Sequence, residues 1–410
     1  MLRKLLWWVP LGLLLLLLIA GLLLSRGKIL TERHQVFEGP AFDYTSGSFS
    51  DYIAYSRQRL QAARIGATSA EQLEQLLPFE LPPASGCGTN DGKAAQGIVL
   101  THGLFDSAYS MRDVGSFLQS RCFHVLGVLL PAHGTRPGDF LDTQWQDWAE
   151  TVHFATQALS ERVHQVYLGG HSAGATLSLL EAADNPLVEG LVLFGPALGI
   201  TDAARYARYV VPIGRLFPKA AWVSIGADDA VYRYDSLTFS AAEQMQALID
   251  ALQEADTTRL QSLPVFSVVS MEDSTIKTPA VLDFMASNAH PASLTLLYSQ
   301  QPLQNLQRTR VVSAADRSQG ILSLGHLGLM TPPDHPWYGR DGSYRFCGHY
   351  GDADNPAFQR CKNGERDWYG ETTPQNLQEG LLERIAFNPY YEEMLDALGQ
   401  FLGGTAVVAQ

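Results

Sequence analysis

The chain has 410 residues, 46% hydrophobic and 17% charged, which is enough apolar material for a large core and excludes disorder as the default. Its formal net charge of -13 argues against a nucleic-acid surface, which needs clustered Lys and Arg to replace phosphate counterions.

The first predicted element is an apolar helix. Leu5 to Leu24 carries no charge, follows Arg3 and Lys4, precedes Arg26 and Lys28, and has Trp7 and Trp8 near one end. About 20 helical residues rise about 30 Å, the thickness of a bilayer core. Residues 1–28 are therefore expected to be a single-pass membrane anchor. The other reading is a cleaved signal peptide, but such peptides have a shorter apolar region and an A-x-A-like site, which is not seen before Ser25. Residues 29–94 form an N-terminal extension, with a helix predicted from Gln58 to Leu77 and a stop at Pro78, Pro82 and Pro83.

Strand and helix then alternate. Gly97–Thr101 reads as a buried strand ending at His102-Gly103-Leu104-Phe105-Asp106-Ser107, followed by a helix marked by Met111, Val114, Phe117 and Leu118. A strand over Val125–Leu130 ends at Pro131-Ala132-His133-Gly134. Trp145, Trp148, Val152, Ala155 and Leu159 then fall on one helix face. Val166-Tyr167-Leu168 leads through Gly169 into Gly170-His171-Ser172-Ala173-Gly174 and a second helical segment, and Leu191–Phe194 is the next strand. This order predicts a mostly parallel sheet wrapped by helices.

The alternation fails over 197–263, where aromatics and an amphipathic helix through Met245, Leu248 and Leu252 replace it. An insertion after a strand's carboxyl end is placed to form a cap over a site, although any one of its aromatics could equally serve packing. The sheet pattern resumes at Pro264–Met271, followed by Glu272-Asp273-Ser274-Thr275-Ile276, a helix from Pro279 to Ala289, and Leu294–Tyr298 as the expected last sheet strand. Beyond it come Ile321–Met330 with His326, a cysteine-bracketed insertion near 331–368, and a final helix. The core is thus expected over 95–196 and 264–402.

Four cysteines, Cys87, Cys122, Cys347 and Cys361, sit in predicted loops and at strand edges. They suggest bridges 87–122 and 347–361, one of three possible pairings. Disulfides imply an oxidising compartment, so the globular part is expected outside the cytoplasm, most simply in a periplasm; the alternative is four reduced thiols facing the cytosol. No pair has metal-site spacing, no H-e-x-x-H motif appears, and no metal or cofactor is expected.

The chemistry concentrates at Ser172. G-x-S-x-G between a strand and a helix is a nucleophile elbow, in which small residues let strand and helix pass closely. Acyl transfer by a serine needs a base, an acid to orient it, and N–H donors for the oxyanion. Asp273 follows an apolar strand, and His326 lies between glycines in Gly325-His326-Leu327-Gly328. The chain order Ser172, Asp273, His326 is the Ser, Asp, His order of α/β-hydrolases. The backbone N–H groups of Leu104 and Ala173 are the candidate oxyanion donors. For the base the competitors are His290, His335 and His349; for the acid, Glu272 and Asp316. His102 and His133 belong to turns, and His171 packs beside the elbow.

On Thr101-His102-Gly103-Leu104, Pro131-Ala132-His133-Gly134, Gly170-His171-Ser172-Ala173-Gly174 and Asp273 with Ile276, the chain resembles the capped α/β-hydrolases of the monoacylglycerol lipase and bacterial carboxylesterase branch, often grouped with serine aminopeptidases. The resemblance covers roughly 95–402. It implies an eight-stranded sheet, a helical cap and hydrolysis of carboxylic esters without a metal or cofactor. The expected partner is a small ester or a lipid such as a monoacylglycerol or lysophospholipid, with the membrane engaged through the N-terminal helix and no nucleic acid. Acyl transfer or peptide hydrolysis by the same triad is the nearest alternative, and a non-catalytic tethered binding module is the farther one. The oligomeric state is not legible in the sequence.

Overall fold

Ile98–Leu100, Leu191–Phe194 and Val265–Val269 are apolar at both odd and even positions, so a strand made from any of them must be covered on two sides. The computed structural model describes residues 29–228, 230–351 and 353–408, and it meets that demand with a sheet between two helical layers. The expected membrane anchor lies outside the described residues, among which no helix is long and apolar enough to cross a membrane.

In chain order the described elements are α1 (Phe49–Ala63), α2 (Ala70–Leu76), β1 (Phe79–Leu81), β2 (Thr89–Asn90), β3 (Lys93–Thr101), α3 (Arg112–Ser120), β4 (Phe123–Val128), α4 (Trp145–Ser160), β5 (Val163–His171), α5 (Ala173–Asp184) and β6 (Val188–Phe194). The 197–263 insertion holds α6 (Ala207–Leu216), β7 (Trp222–Ser224), β8 (Leu237–Thr238) and α7 (Phe239–Glu254). Then follow β9 (Val265–Ser270), α8 (Thr278–Ser287), β10 (Leu294–Ser299), β11 (Thr309–Ser313), α9 (Pro356–Lys362), β12 (Trp368–Gly370), β13 (Leu382–Arg384) and α10 (Tyr391–Val408).

The sheet runs β1-β4-β3-β5-β6-β9-β10-β11, with β2 paired to β3; only β1 and β2 are antiparallel to their neighbours. Alternate residues feed two cores. Val99, Leu191, Leu193 and Val265 meet Trp148, Leu179 and Leu248 on one face. Ile98, Val192, Phe194 and Val268 meet Val114, Met394 and Leu398 on the other.

Three expectations need correction. The sheet has nine strands, not eight, because the two-residue β2 is added beside the eight in line. Leu294–Tyr298 is not its last strand: β11 pairs in parallel beside β10 and forms the edge. The helix expected over 58–77 is two helices, because Gly66, at φ +104°, lies in the break between Ala63 and Ala70. Ile321–Met330, which carries His326, makes single bridges at Ile321 and then a short turn at His326. Residues 29–94 pack against the core. They supply edge strand β1, whose Phe79 fills the surface left by Gly115 and Gly127.

Both expected disulfides are present, Cys87–Cys122 and Cys347–Cys361. Cys361 lies on α9 rather than in a loop. Before the second bridge, Tyr338, Tyr344 and Phe346 pack with Tyr109 and Tyr232 into a third apolar cluster.

Candidate active site

Parallel strands bring their carboxyl ends to one edge, and the loops after β3, β5 and β9 meet there. β5 ends at His171 and α5 starts at Ala173, so Ser172 carries the reversal alone, at φ 54° and ψ -115°. That is an uncommon conformation for a residue with a side chain, and its surroundings must enforce it. A Cβ on Gly170 would lie 2.5 Å from the carbonyl carbon of Gly174, and one on Gly174 would lie 2.1 Å from the carbonyl oxygen of Thr101. Both positions are therefore closed to any side chain. Ser172 N–H donates to the Phe194 carbonyl at 2.9 Å, tying the turn to β6.

The loop after β3 passes the same point: a Cβ on Gly103 would lie 3.3 Å from Cβ of Ser172. Gly103, the residue before Leu104, thus lies against the elbow. Phe105, at φ 64°, accepts a hydrogen bond at its carbonyl from the N–H of Tyr234 in the insertion. His102 donates from Nδ1 to the Gly103 carbonyl (2.8 Å) and accepts at Nε2 from Leu130 N–H (3.1 Å). Burial pulls its pKa down to about 4, so it braces the turn as a neutral ring.

Asp273 follows β9 in a tight turn. Its Oδ1 accepts from the N–H groups of Thr275 (2.7 Å) and Ile276 (3.0 Å), which aims Oδ2 at Nδ1 of His326, 2.6 Å away. The two side chains are 0% and 3% exposed. A carboxylate can only accept, so Nδ1 carries the proton and the Nε2 lone pair is left free to act as a base. The His326 ring lies over Gly195, where a Cβ would come within 3.2 Å of Cε1, and its centroid is 4.7 Å from that of His171. His171 donates from Nε2 to the His326 carbonyl at 3.0 Å, and burial holds His171 neutral, well below its ordinary pKa.

The other support of His326 comes from a carboxylate at the end of β12. Glu371 is 0% exposed and accepts at Oε2 from the His326 backbone N–H (3.0 Å) and at Oε1 from the Ser274 hydroxyl (2.9 Å). It thus joins the histidine turn to the Asp273 turn. Arg384, at the end of β13, clamps it through Nε (2.6 Å) and Nη2 (3.0 Å) and also reaches the Thr275 hydroxyl (2.7 Å). Burial opposes ionisation of Glu371, but the Arg384 charge and these hydrogen bonds outweigh it and hold the pKa down at about 2. Gly325 is glycine for the same reason: a Cβ there would lie 2.5 Å from Glu371 Oε2.

A model of the alpha/beta hydrolase family matches residues 98–336, more than half of the chain. The chain belongs to the alpha/beta hydrolase family. A thermostable monoacylglycerol lipase of Bacillus sp. (strain H-257) is 29% identical over 125 residues, which cover 29% of this chain and 50% of that lipase. The chain thus spans about half the length of the curated relative it matches. Among solved structures, the metagenome-derived lipolytic enzymes LipS and LipT give 19% identity over 56% of this chain and 88% of that one, at a TM-score of 0.42. The Paleococcus ferrophilus monoacylglycerol lipase gives 16% identity over 54% and 88%, also at 0.42.

In this chain the competing candidates have other surroundings. Glu272 accepts from Gln300 N–H (2.9 Å), and Asp316 caps the short turn at Ser318. His290 accepts from Ala292 N–H, His335 accepts from Tyr338 N–H, and His349 lies against Tyr350. Glu371 and Arg384 were missed in the sequence. The available signal was the one that marked Asp273, a carboxylate at the carboxyl end of an apolar strand, but β12 is only three residues long. A cleft of about 1300 Å³ opens between 222–235 of the insertion and 344–362. Its lining includes Arg233, next to Tyr234 at the Leu104 loop, and Arg384 of the Glu371 clamp, but not Ser172, Asp273 or His326.

Proposed function

We propose that this chain is a serine hydrolase that cleaves carboxylic esters through an acyl-enzyme. The observation that carries the reading is the buried 2.6 Å hydrogen bond from His326 Nδ1 to Asp273 at the edge of the sheet where Ser172 stands on its elbow. His326 Nε2 takes the Ser172 hydroxyl proton as Oγ attacks the ester carbonyl, and Asp273 stabilises the imidazolium. The N–H groups of Leu104 and Ala173 receive the oxyanion. His326 then returns the proton to the departing alcohol, and a water activated by the same nitrogen releases the acid and restores Ser172. The 197–263 insertion serves as the cap. Trp222, Tyr344, Phe346 and Phe358 give the cleft apolar walls, which favour an acyl chain. Together with the likeness to a monoacylglycerol lipase, this makes a monoacylglycerol or lysophospholipid the preferred substrate class. Two disulfides and the apolar run from Leu5 to Leu24 support a membrane-anchored protein whose globular part lies outside the cytoplasm.

The test is hydrolysis of p-nitrophenyl esters of graded chain length by the full chain in detergent, with fluorophosphonate labelling and product analysis. Ser172→Ala, Asp273→Asn and His326→Ala are each expected to lower kcat by roughly 10⁴-fold or more, and Ser172→Ala to abolish labelling. A wild-type chain inert to every ester and to the probe would overturn the reading; acyl transfer to glycerol in preference to water would redirect it to a transferase.

A further inference from the structure

Helix α6 is amphipathic the opposite way from an ordinary surface helix. The residues it turns inward are small: Ala207 and Gly214 are buried, and a Cβ on Gly214 would lie 2.8 Å from Cβ of Ala221. Its large apolar residues point outward. Tyr206, Tyr209, Ile213 and Leu216 recur at helical spacing on one face, Phe217 adjoins them, and Leu216 is 77% exposed. With Val223 on β7 they make up six of the ten exposed large apolar side chains among the described residues, so this is a patch rather than ordinary scatter.

Its charge also departs from the rest of the molecule. From Ala203 to Ser224 there are four basic residues, Arg205, Arg208, Arg215 and Lys219, and no acidic one, in a chain of net charge -13. Asp202, just outside the stretch, pairs with Arg205 and Lys277. Bulky apolar groups beside Arg and Lys, with no acids among them, are the composition of a helix lying in an anionic lipid interface.

The chain's entry point decides what covers the patch. His34 packs its ring edge-on against Trp222 at 4.9 Å, and Arg33 donates to the carbonyls of Ala227 (2.8 Å) and Asp228 (3.2 Å). Residues 32–34 therefore sit on the strand that carries Val223. The nine peptide steps from Leu24 to Arg33 can span at most roughly 30 Å, so the apolar N-terminal run ends within that reach of this face. Lys219, Trp222 and Val223 also line the 1300 Å³ cleft, which places its rim at the patch.

We propose that the outward face of α6 and β7 docks into the headgroup layer of an anionic bilayer, turning the rim of the cleft toward the lipid. The proposal rests on reading Leu5–Leu24 as an anchor, because the anchor's end delivers this face to the membrane. A lipid ester would then reach the cleft from the bilayer without crossing bulk water.

All four native cysteines are bridged, so an introduced thiol is unique. The full chain carrying Ile213→Cys or Phe217→Cys, labelled with an environment-sensitive fluorophore, is reconstituted into vesicles of phosphatidylcholine with phosphatidylglycerol. Leu377→Cys, 41% exposed outside this stretch, is the control. Labels at 213 and 217 are expected to shift to the blue and be quenched by spin-labelled lipid. The label at 377 is expected to do neither, and the shift should shrink in phosphatidylcholine alone. Leu216→Asp with Phe217→Asp, both at exposed positions, is expected to lower hydrolysis of a vesicle-borne ester by roughly tenfold while leaving a water-soluble ester unaffected. A chain that floats with the vesicles while the 213 label stays in water would overturn docking and leave the anchor standing. A chain that does not float overturns both. Efficient cross-linking of two Ile213→Cys chains would assign the patch to a second copy and overturn the proposal.

Discussion

Ser172 and His326 both stand at the edge of the sheet but are held there by different physics. The serine is fixed by main chain: Gly170 against Gly174, Gly174 against Thr101, and a hydrogen bond from Ser172 to Phe194, all within β5, α5 and the strands beside them. The histidine stands on a turn, not on a strand, and its backbone is held by side chains remote in sequence. Glu371 is 45 residues away and His171 is 155. A site part made of backbone contacts tolerates no added atom, whereas one made of side-chain hydrogen bonds weakens by degrees.

Substitutions at the two parts should therefore fail differently. Gly174→Ala drives a methyl onto the Thr101 carbonyl, so it is expected to abolish activity and to cost more than about 3 kcal/mol, read by thermal unfolding. A folded, active Gly174→Ala chain would show that the elbow can relax. Glu371→Ala leaves Arg384 without its buried partner and is expected to cost about 3 kcal/mol of stability. It should also lower kcat/KM by roughly 10- to 100-fold through misplacement of His326. Glu371→Gln, which keeps acceptor oxygen Oε1 in place, should do less harm. Fluorophosphonate labelling of Ser172 should slow in both but persist, as it cannot in an elbow variant.

Acid should separate the parts as well. His102 is held below its ordinary pKa of 6.5, at about 4, so the unfolded chain binds its proton first. Stability from this group is complete above pH 6.5 and falls as pH drops from 6.5 to 4, by roughly 3 kcal/mol. Glu371, ordinarily 4.5 and here about 2, stabilises above pH 4.5 and loses that contribution between 4.5 and 2. Unfolding free energies across pH should show two losses, with His102→Gln shrinking the upper, to which the buried His133, His171 and His335 and the half-buried His349 also contribute, and Glu371→Gln shrinking the lower; losses unaffected by either variant would refute the assignment. The smallest expected effect is that of Cys347→Ser with Cys361→Ser. Opening this short loop should cost about 2 kcal/mol. Activity should fall only modestly, because Phe346, beside the bridge, accepts from the N–H of Arg384 and steadies the Glu371 clamp from behind.

What could be read in the sequence follows the same division. Strands, elbow, the Asp273 turn and both disulfide pairings were legible because each depends on a short apolar run, a glycine or a residue at a strand end. The split of 58–77 at Gly66, edge strand β11 and the two-residue β2 were not, because weak local preference leaves such boundaries to tertiary packing.

By itself, then, the sequence determined the layered sheet and where a serine would be held in strain at its edge, since steric exclusion by neighbouring residues is local. Only the tertiary structure decided which histidine faces Asp273, that Glu371 and Arg384 secure it, and that α6 turns its large apolar residues outward. Each of those depends on which distant side chain fills the space beside it, and burial alone sets the worth of a charge or hydrogen bond there.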